Sequence, residues 1–222
     1  MSWFTTALSG PIGRKLLMAV TGLFLVGFLL EHLLSNLMLL SNDPNLFNGY
    51  AEFMKTNIFI RVAEPVLFAG FIFHITYAGI ITYKNKQARP KAYSYNNPSE
   101  NSSWFSRNMG LTGLVILAFL LIHLNSFFFP HKLPNPISGE AHTDLYHDAY
   151  EKFASIPYTA FYVFAMLLLC FHLMHGFQSS FQTLGARHPK YSPFIKILGT
   201  GFAILVPLGF ALIPLIICIK QH

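Results

Sequence analysis

Residues 22–40 read Gly22-Leu-Phe-Leu-Val-Gly-Phe-Leu-Leu-Glu31-His32-Leu-Leu-Ser-Asn36-Leu-Met-Leu-Leu40. With the residues just before it, this run is apolar enough to cross a bilayer, which takes about 20 residues. It nevertheless carries a histidine beside a glutamate. Ionisable side chains at membrane depth are costly and usually mark a functional path. Three further apolar segments each hold a histidine: His74, His123 and His172.

The composition agrees with a membrane chain. Of 222 residues, 53% are hydrophobic and only 11% charged, where a soluble domain carries about 25% charged residues. Five segments are long enough to span: 16–40, 58–83, 109–129, 156–178 and 194–219. They are expected to form one all-α transmembrane domain over residues 1–222, with no internal repeat and no soluble catalytic domain. The first apolar run is followed by no small-residue cleavage site, so no cleavable signal is expected. Cys170 and Cys218 lie in different spans. No Cys-x-x-Cys-His occurs, so a haem would be held without covalent attachment.

The charges suggest an orientation. Arg14, Lys15, Lys84, Lys86, Arg89, Lys91, Arg107, Arg187, Lys190 and Lys196 fall on one side of the five spans. The positive-inside rule places that side, and the N-terminus, in the cytoplasm. Asp43, Glu52, Glu140, Asp144, Asp148 and Glu151 fall on the other. The net charge of +6 is then a topology signal or a docking face for an acidic partner or anionic lipid, rather than a nucleic-acid surface.

Depth pairs the histidines. At 1.5 Å per residue, His32 and His123 lie about 24–25 Å from the inner boundary. His74 lies about 15 Å from it, and His172 about 22 Å below the outer entrance of its own span. His32 can thus face His123 near the outer leaflet, and His74 can face His172 near the inner one. Neutral imidazole is a common axial ligand of haem iron. A single buried histidine is more often a satisfied core residue or a proton-path element, but four matched by depth are hard to obtain by chance. His175 lies one turn beyond His172 on roughly the same face, and spacing leaves the choice between them open. Gly27, Gly70, Gly79, Gly113 and Gly176 flank these positions and allow close approach of helices or of a flat porphyrin.

At these residues the chain resembles the membrane-anchor diheme cytochrome b subunit of bacterial succinate dehydrogenase and fumarate reductase, the type with five helices and two haems. The similar stretches are Phe28–Asn36, Phe47–Met54, Phe73–Gly79, Ser106–Gly113 and Phe171–Gly176. They cover nearly the whole chain in order. The resemblance favours His172 over His175 as the ligand. It implies two haem b groups, the outer on His32 and His123, the inner on His74 and His172. It also implies a bacterial cytoplasmic membrane location and two soluble partners, a flavoprotein with FAD and an iron–sulfur subunit. Electrons would pass between these and membrane quinone, usually menaquinone, with no succinate site in this subunit.

The resemblance also links an acid near the outer end of the second span to quinone protons. Glu64, before Pro65, is the candidate; the alternative is an interfacial carboxylate favoured by the helix N-terminus. Glu31, adjacent to His32, is expected to be paired with a neighbouring helix or protonated. The loop 130–155 carries His131, His142, Asp144, His147, Asp148 and Glu151, read as a polar interfacial helix in preference to a divalent-cation site. Residues 46–56 read as a second interfacial helix. Arg14, Lys15, Lys84, Arg187 and Arg61 are candidate propionate partners, although such cations also snorkel to headgroups. Two other classes remain open: a diheme anchor of another quinone-linked dehydrogenase, and a transporter using buried histidines for protons.

Overall fold

A computed structural model describes residues 10–87, 103–133 and 143–222. Within them the chain forms helices α1 (Pro11–Asn36), α2 (Pro44–Thr56), α3 (Ile58–Gln87), α4 (Trp104–Arg107), α5 (Met109–His123), α6 (Phe129–Lys132), α7 (Leu145–Phe153), α8 (Ile156–Thr183) and α9 (Ser192–Gln221). No strand occurs among the described residues. Five stretches are long and apolar enough to cross a membrane: Pro11–Ser41, Ile58–Gln87, Met109–Lys132, Ile156–Thr183 and Ser192–Gln221. This is a multi-pass membrane protein. Large apolar side chains such as Ile72 and Leu205 stand outside the protein core, as a lipid solvent permits.

The element boundaries follow local chemistry. Pro11 opens α1, where its missing N–H costs nothing. Asp43 caps α2 by accepting from the Asn45 N–H at 3.0 Å, and Asp144 caps α7 by accepting from the His147 N–H at 2.9 Å. Asn57 ends α2 and opens α3, its side chain accepting from the Phe59 N–H at 2.9 Å. Gly185, at φ +79°, lets the chain turn away after α8. A π turn, Leu124–Phe128, follows His123 directly; such turns are frequent at functional sites.

Four spans form a ring. Helix α1 packs on α3 and α8, and α5 packs on α8 and more lightly on α3. The diagonal pairs, α1 with α5 and α3 with α8, face each other across the middle without extensive packing. Helix α9 lies outside this ring, against α8 and α1. Its close approach depends on small residues: a Cβ added at Gly199 or Gly209 would come within 2.5 Å of Phe177 or 2.9 Å of Leu33. Helices α8 and α9 bury many of their residues in protein, whereas α3 and α5 bury few.

Contrary to the expectation of no repeat, the two halves of the ring correspond. Each is a span, a short helix capped by Asp, and a second span: α1–α2–α3 and α5–α7–α8. Thr21-Gly-Leu-Phe-Leu-Val-Gly-Phe-Leu-Leu-Glu-His32 aligns with Thr112-Gly-Leu-Val-Ile-Leu-Ala-Phe-Leu-Leu-Ile-His123, where Thr, Gly, Leu, Phe, Leu, Leu and His recur in register. Helices α3 and α8 begin the same distance before His74 and His172.

The short helices α2 and α7 lie together over one end of the ring. Asn48 joins them, donating to Asp144 Oδ1 at 2.9 Å and accepting from the Tyr146 N–H at 3.0 Å. We call this the capped end. The start of α1, the end of α3, the starts of α4 and α9, and the end of α8 share the opposite end. It carries Arg14, Lys15, Lys84, Lys86, Arg107, Arg187, Lys190 and Lys196. Arg89, Lys91, Glu140 and His142 lie outside the described residues.

Candidate functional site

Helix α1 supplies His32 and α5 supplies His123, from diagonally opposite corners of the ring. Their ring centres are 5.7 Å apart, with planes at 88°. Helix α3 supplies His74 and α8 supplies His172, from the other diagonal. Their centres are 6.3 Å apart, with planes at 65°. The structure therefore brings together both pairs that depth suggested. His172, rather than His175, faces His74. Two metal–nitrogen bonds of about 2 Å each, plus about 1 Å from each nitrogen to its ring centre, put two axial imidazoles about 6 Å apart. Both pairs meet that separation.

Each histidine is half-buried by protein and carries a polar neighbour at Nδ1. His74 Nδ1 lies 3.3 Å from Thr21 Oγ1, and His172 Nδ1 lies 3.4 Å from Thr112 Oγ1. His123 Nδ1 lies 3.2 Å from the Tyr162 hydroxyl, which in turn lies 3.0 Å from the Tyr158 hydroxyl. His32 Nδ1 faces the Asn36 amide nitrogen at 3.4 Å, and that nitrogen donates to the His32 carbonyl at 2.7 Å. Among the described residues no hydrogen bond engages the Nε2 atom of any of the four. A metal-binding histidine usually donates its Nδ1–H to an acceptor and leaves Nε2 open. The Thr21, Thr112 and Tyr162 oxygens can accept in this way, whereas the Asn36 amide nitrogen beside His32 only donates.

Aromatic rings and glycines complete the surroundings. Phe28 stacks on His32 at 5.1 Å, and its repeat partner Phe119 stacks on His123 at 5.7 Å. A Cβ at Gly22 would stand 3.5 Å from the His74 ring, and one at Gly113 would stand 3.6 Å from the His172 ring. Both distances are ordinary van der Waals contact, so each imidazole lies directly against the backbone of the neighbouring helix. Gly70 packs on Phe24, while nothing lies within 4 Å of a Cβ at Gly27, Gly79 or Gly176.

The acids are partnered. Tyr50 on α2 donates to Glu31 Oε1 at 2.8 Å. Burial, and then the Glu31 carboxylate, push the Tyr50 phenol up to about 12, which keeps it a donor. Glu64 forms an ion pair with Lys132 at the capped end, where Phe68 and Phe128 meet at 5.2 Å. Arg14 is half-buried, whereas Lys15, Lys84, Arg187 and Arg61 stand exposed at the helix ends. Among the described residues no three His, Cys, Asp or Glu side chains gather as a metal site. Asp144, His147, Asp148 and Glu151 belong instead to α7 and its cap.

Sequence reasoning missed Thr21, Thr112, Tyr162 and Asn36. The threonines had a legible signal: a Thr-Gly pair eleven residues before a membrane histidine, occurring twice. Comparison with protein-family models, curated proteins and solved structures yields no match.

Proposed function

We propose that this chain is the membrane-anchor cytochrome b of a succinate:quinone oxidoreductase. It would carry one haem b between His32 and His123 and another between His74 and His172. The observation that supports this most is the pair of imidazole separations, each suited to one iron held between two rings, with no hydrogen bond to any of the four Nε2 atoms among the described residues. The haems would supply one-electron transfer. The chain's own contribution is to fix the imidazoles, hold the two centres at separate depths, and tune them through the groups at Nδ1.

In this reading the basic end faces the cytoplasm and receives the iron–sulfur and flavoprotein subunits, FAD being in the latter. The capped end lies at the opposite leaflet, where quinone, in the menaquinone class, meets the His32–His123 level. Glu64, paired with Lys132 and close to Phe68 and Phe128, is the proton carrier for the quinone. The order and spacing of the motifs favour the succinate-linked anchor over other quinone-linked dehydrogenases.

The test is a reduced-minus-oxidised visible spectrum of the purified full-length chain, with haem and iron content. Two haems per chain are expected, together with co-purification of a flavoprotein. Colourless, iron-free protein refutes the cofactor assignment. A molybdopterin or nickel partner moves the chain to another dehydrogenase class.

A further inference from the structure

The internal repeat gives α1 and α5 a second duty. Each holds an outer histidine and, eleven residues earlier, a threonine. Eleven residues make three turns to within about 20°, so threonine and histidine share a helix face about 16 Å apart along the axis. At that distance the threonine meets the histidine of the adjacent helix at the other level: Thr21 meets His74 and Thr112 meets His172.

The direction of these contacts is fixed by proton count. A threonine hydroxyl has one proton and two lone pairs. Thr21 Oγ1 donates to the Leu17 carbonyl at 2.7 Å, with Met18 O at 3.3 Å. Thr112 Oγ1 donates to Asn108 O at 3.1 Å, with Met109 O at 3.2 Å. Both protons are thus committed to the threonines' own helices, and each oxygen can only accept from imidazole. His74 and His172 are therefore held as Nδ1–H tautomers with the Nε2 lone pair free. Gly22 and Gly113, the next residue in each copy, stand beside the same imidazoles, where a Cβ would make ordinary van der Waals contact.

We infer that Thr21 and Thr112 are paired positioning residues that lock both imidazoles of the His74–His172 centre in the metal-binding tautomer and lower that centre's reduction potential. The inference rests on the haem reading above. An acceptor at Nδ1–H makes an imidazole a stronger electron donor, which favours the oxidised iron. Because both ligands of one centre are supported in the same way, the two threonines act on a single potential.

The experiment is a spectroelectrochemical titration of the full-length protein with its haems, for Thr21→Val, Thr112→Val and the corresponding Ser variants. Valine keeps the shape and removes the acceptor; serine restores it. Each Val variant is expected to shift the same one of two one-electron waves upward, by up to about tenfold in the oxidation equilibrium, which is about 59 mV. The Ser variants should leave both waves in place. Loss of one haem in a Val variant with retention in its Ser counterpart also supports the lock. Shifts in different waves, no shift, or equal effects of Ser and Val overturn it. A colourless wild-type chain overturns the cofactor reading and this inference with it; two intact waves indifferent to Thr21 and Thr112 overturn this inference alone.

Discussion

The two histidine levels each pair two imidazoles at similar ring separations, yet they differ in what stands behind the rings. At the His74–His172 level both supports are threonine hydroxyls whose protons are tied to backbone carbonyls. At the His32–His123 level one support is a phenol from the Tyr158–Tyr162 pair and the other is the Asn36 amide nitrogen. An amide nitrogen only donates, so it cannot draw on the His32 ring as an acceptor would. The capped end adds a second difference, because α2 and α7 lie over the His32–His123 level, whereas among the described residues the basic end carries only the four-residue α4 between spans. Two like imidazole pairs are therefore distinguished by their neighbours, and each neighbour is a separate place to test the distinction.

The largest effect is expected from the histidines proposed to hold the haems. His123→Ala should reduce the haem content from two per chain to one, and His74→Ala should remove the other haem, as read by pyridine haemochrome analysis. If both haems survive either change, the pairing by level is broken. A smaller effect is expected from Tyr162→Phe. The change leaves the half-buried His123 Nδ1 and the Tyr158 hydroxyl short of a partner, at a cost of about 1–3 kcal/mol. The melting temperature should fall, and the wave that moves should be the one the threonine variants leave untouched. Movement of the same wave would erase the contrast between the levels.

The smallest effect belongs to the cap. Asp144→Ala removes the N-cap of α7 and one partner of Asn48, costing about 1 kcal/mol. The loss should appear in hydrogen exchange of α7 and leave the His74–His172 level unchanged. The Asp144 carboxyl is held below the usual carboxylate range, first by the His147 N–H and then by Asn48. Its stabilising contribution is therefore complete above about pH 4 and disappears as pH falls through the lowered native value. Protection of α7 should decline with acid in the wild type, and this decline should be weaker in Asp144→Ala.

The spans were legible because apolar length is a property of the sequence alone. Their ends were less so: α1 begins at Pro11 instead of 16, α3 runs to Gln87 instead of 83, and α8 to Thr183 instead of 178. Helices continue past the apolar window where polar side chains face water or headgroups, and hydropathy does not register that. That His32 pairs with His123 and His74 with His172 was legible from depth. The partner of Glu31 was not, because Tyr50 reaches it from a different helix. Tyr162 was hidden for the same reason, its spacing from His123 being set by tertiary packing. Thr21 and Thr112 were hidden by mildness: threonine in a membrane helix usually satisfies itself on its own backbone, and these two do so while also serving a neighbour.

The repeat also bears on how the molecule comes into being. Each half of the ring offers a single imidazole to either depth, so a nascent chain with only its first two spans inserted possesses half of both centres and the whole of neither. The His32–His123 pair can close only once α5 has been delivered to the bilayer, and the His74–His172 pair only once α8 has. Biogenesis is in this sense a meeting of two hemispheres, and under the proposed haem reading neither group could be clamped before its second helix has been made.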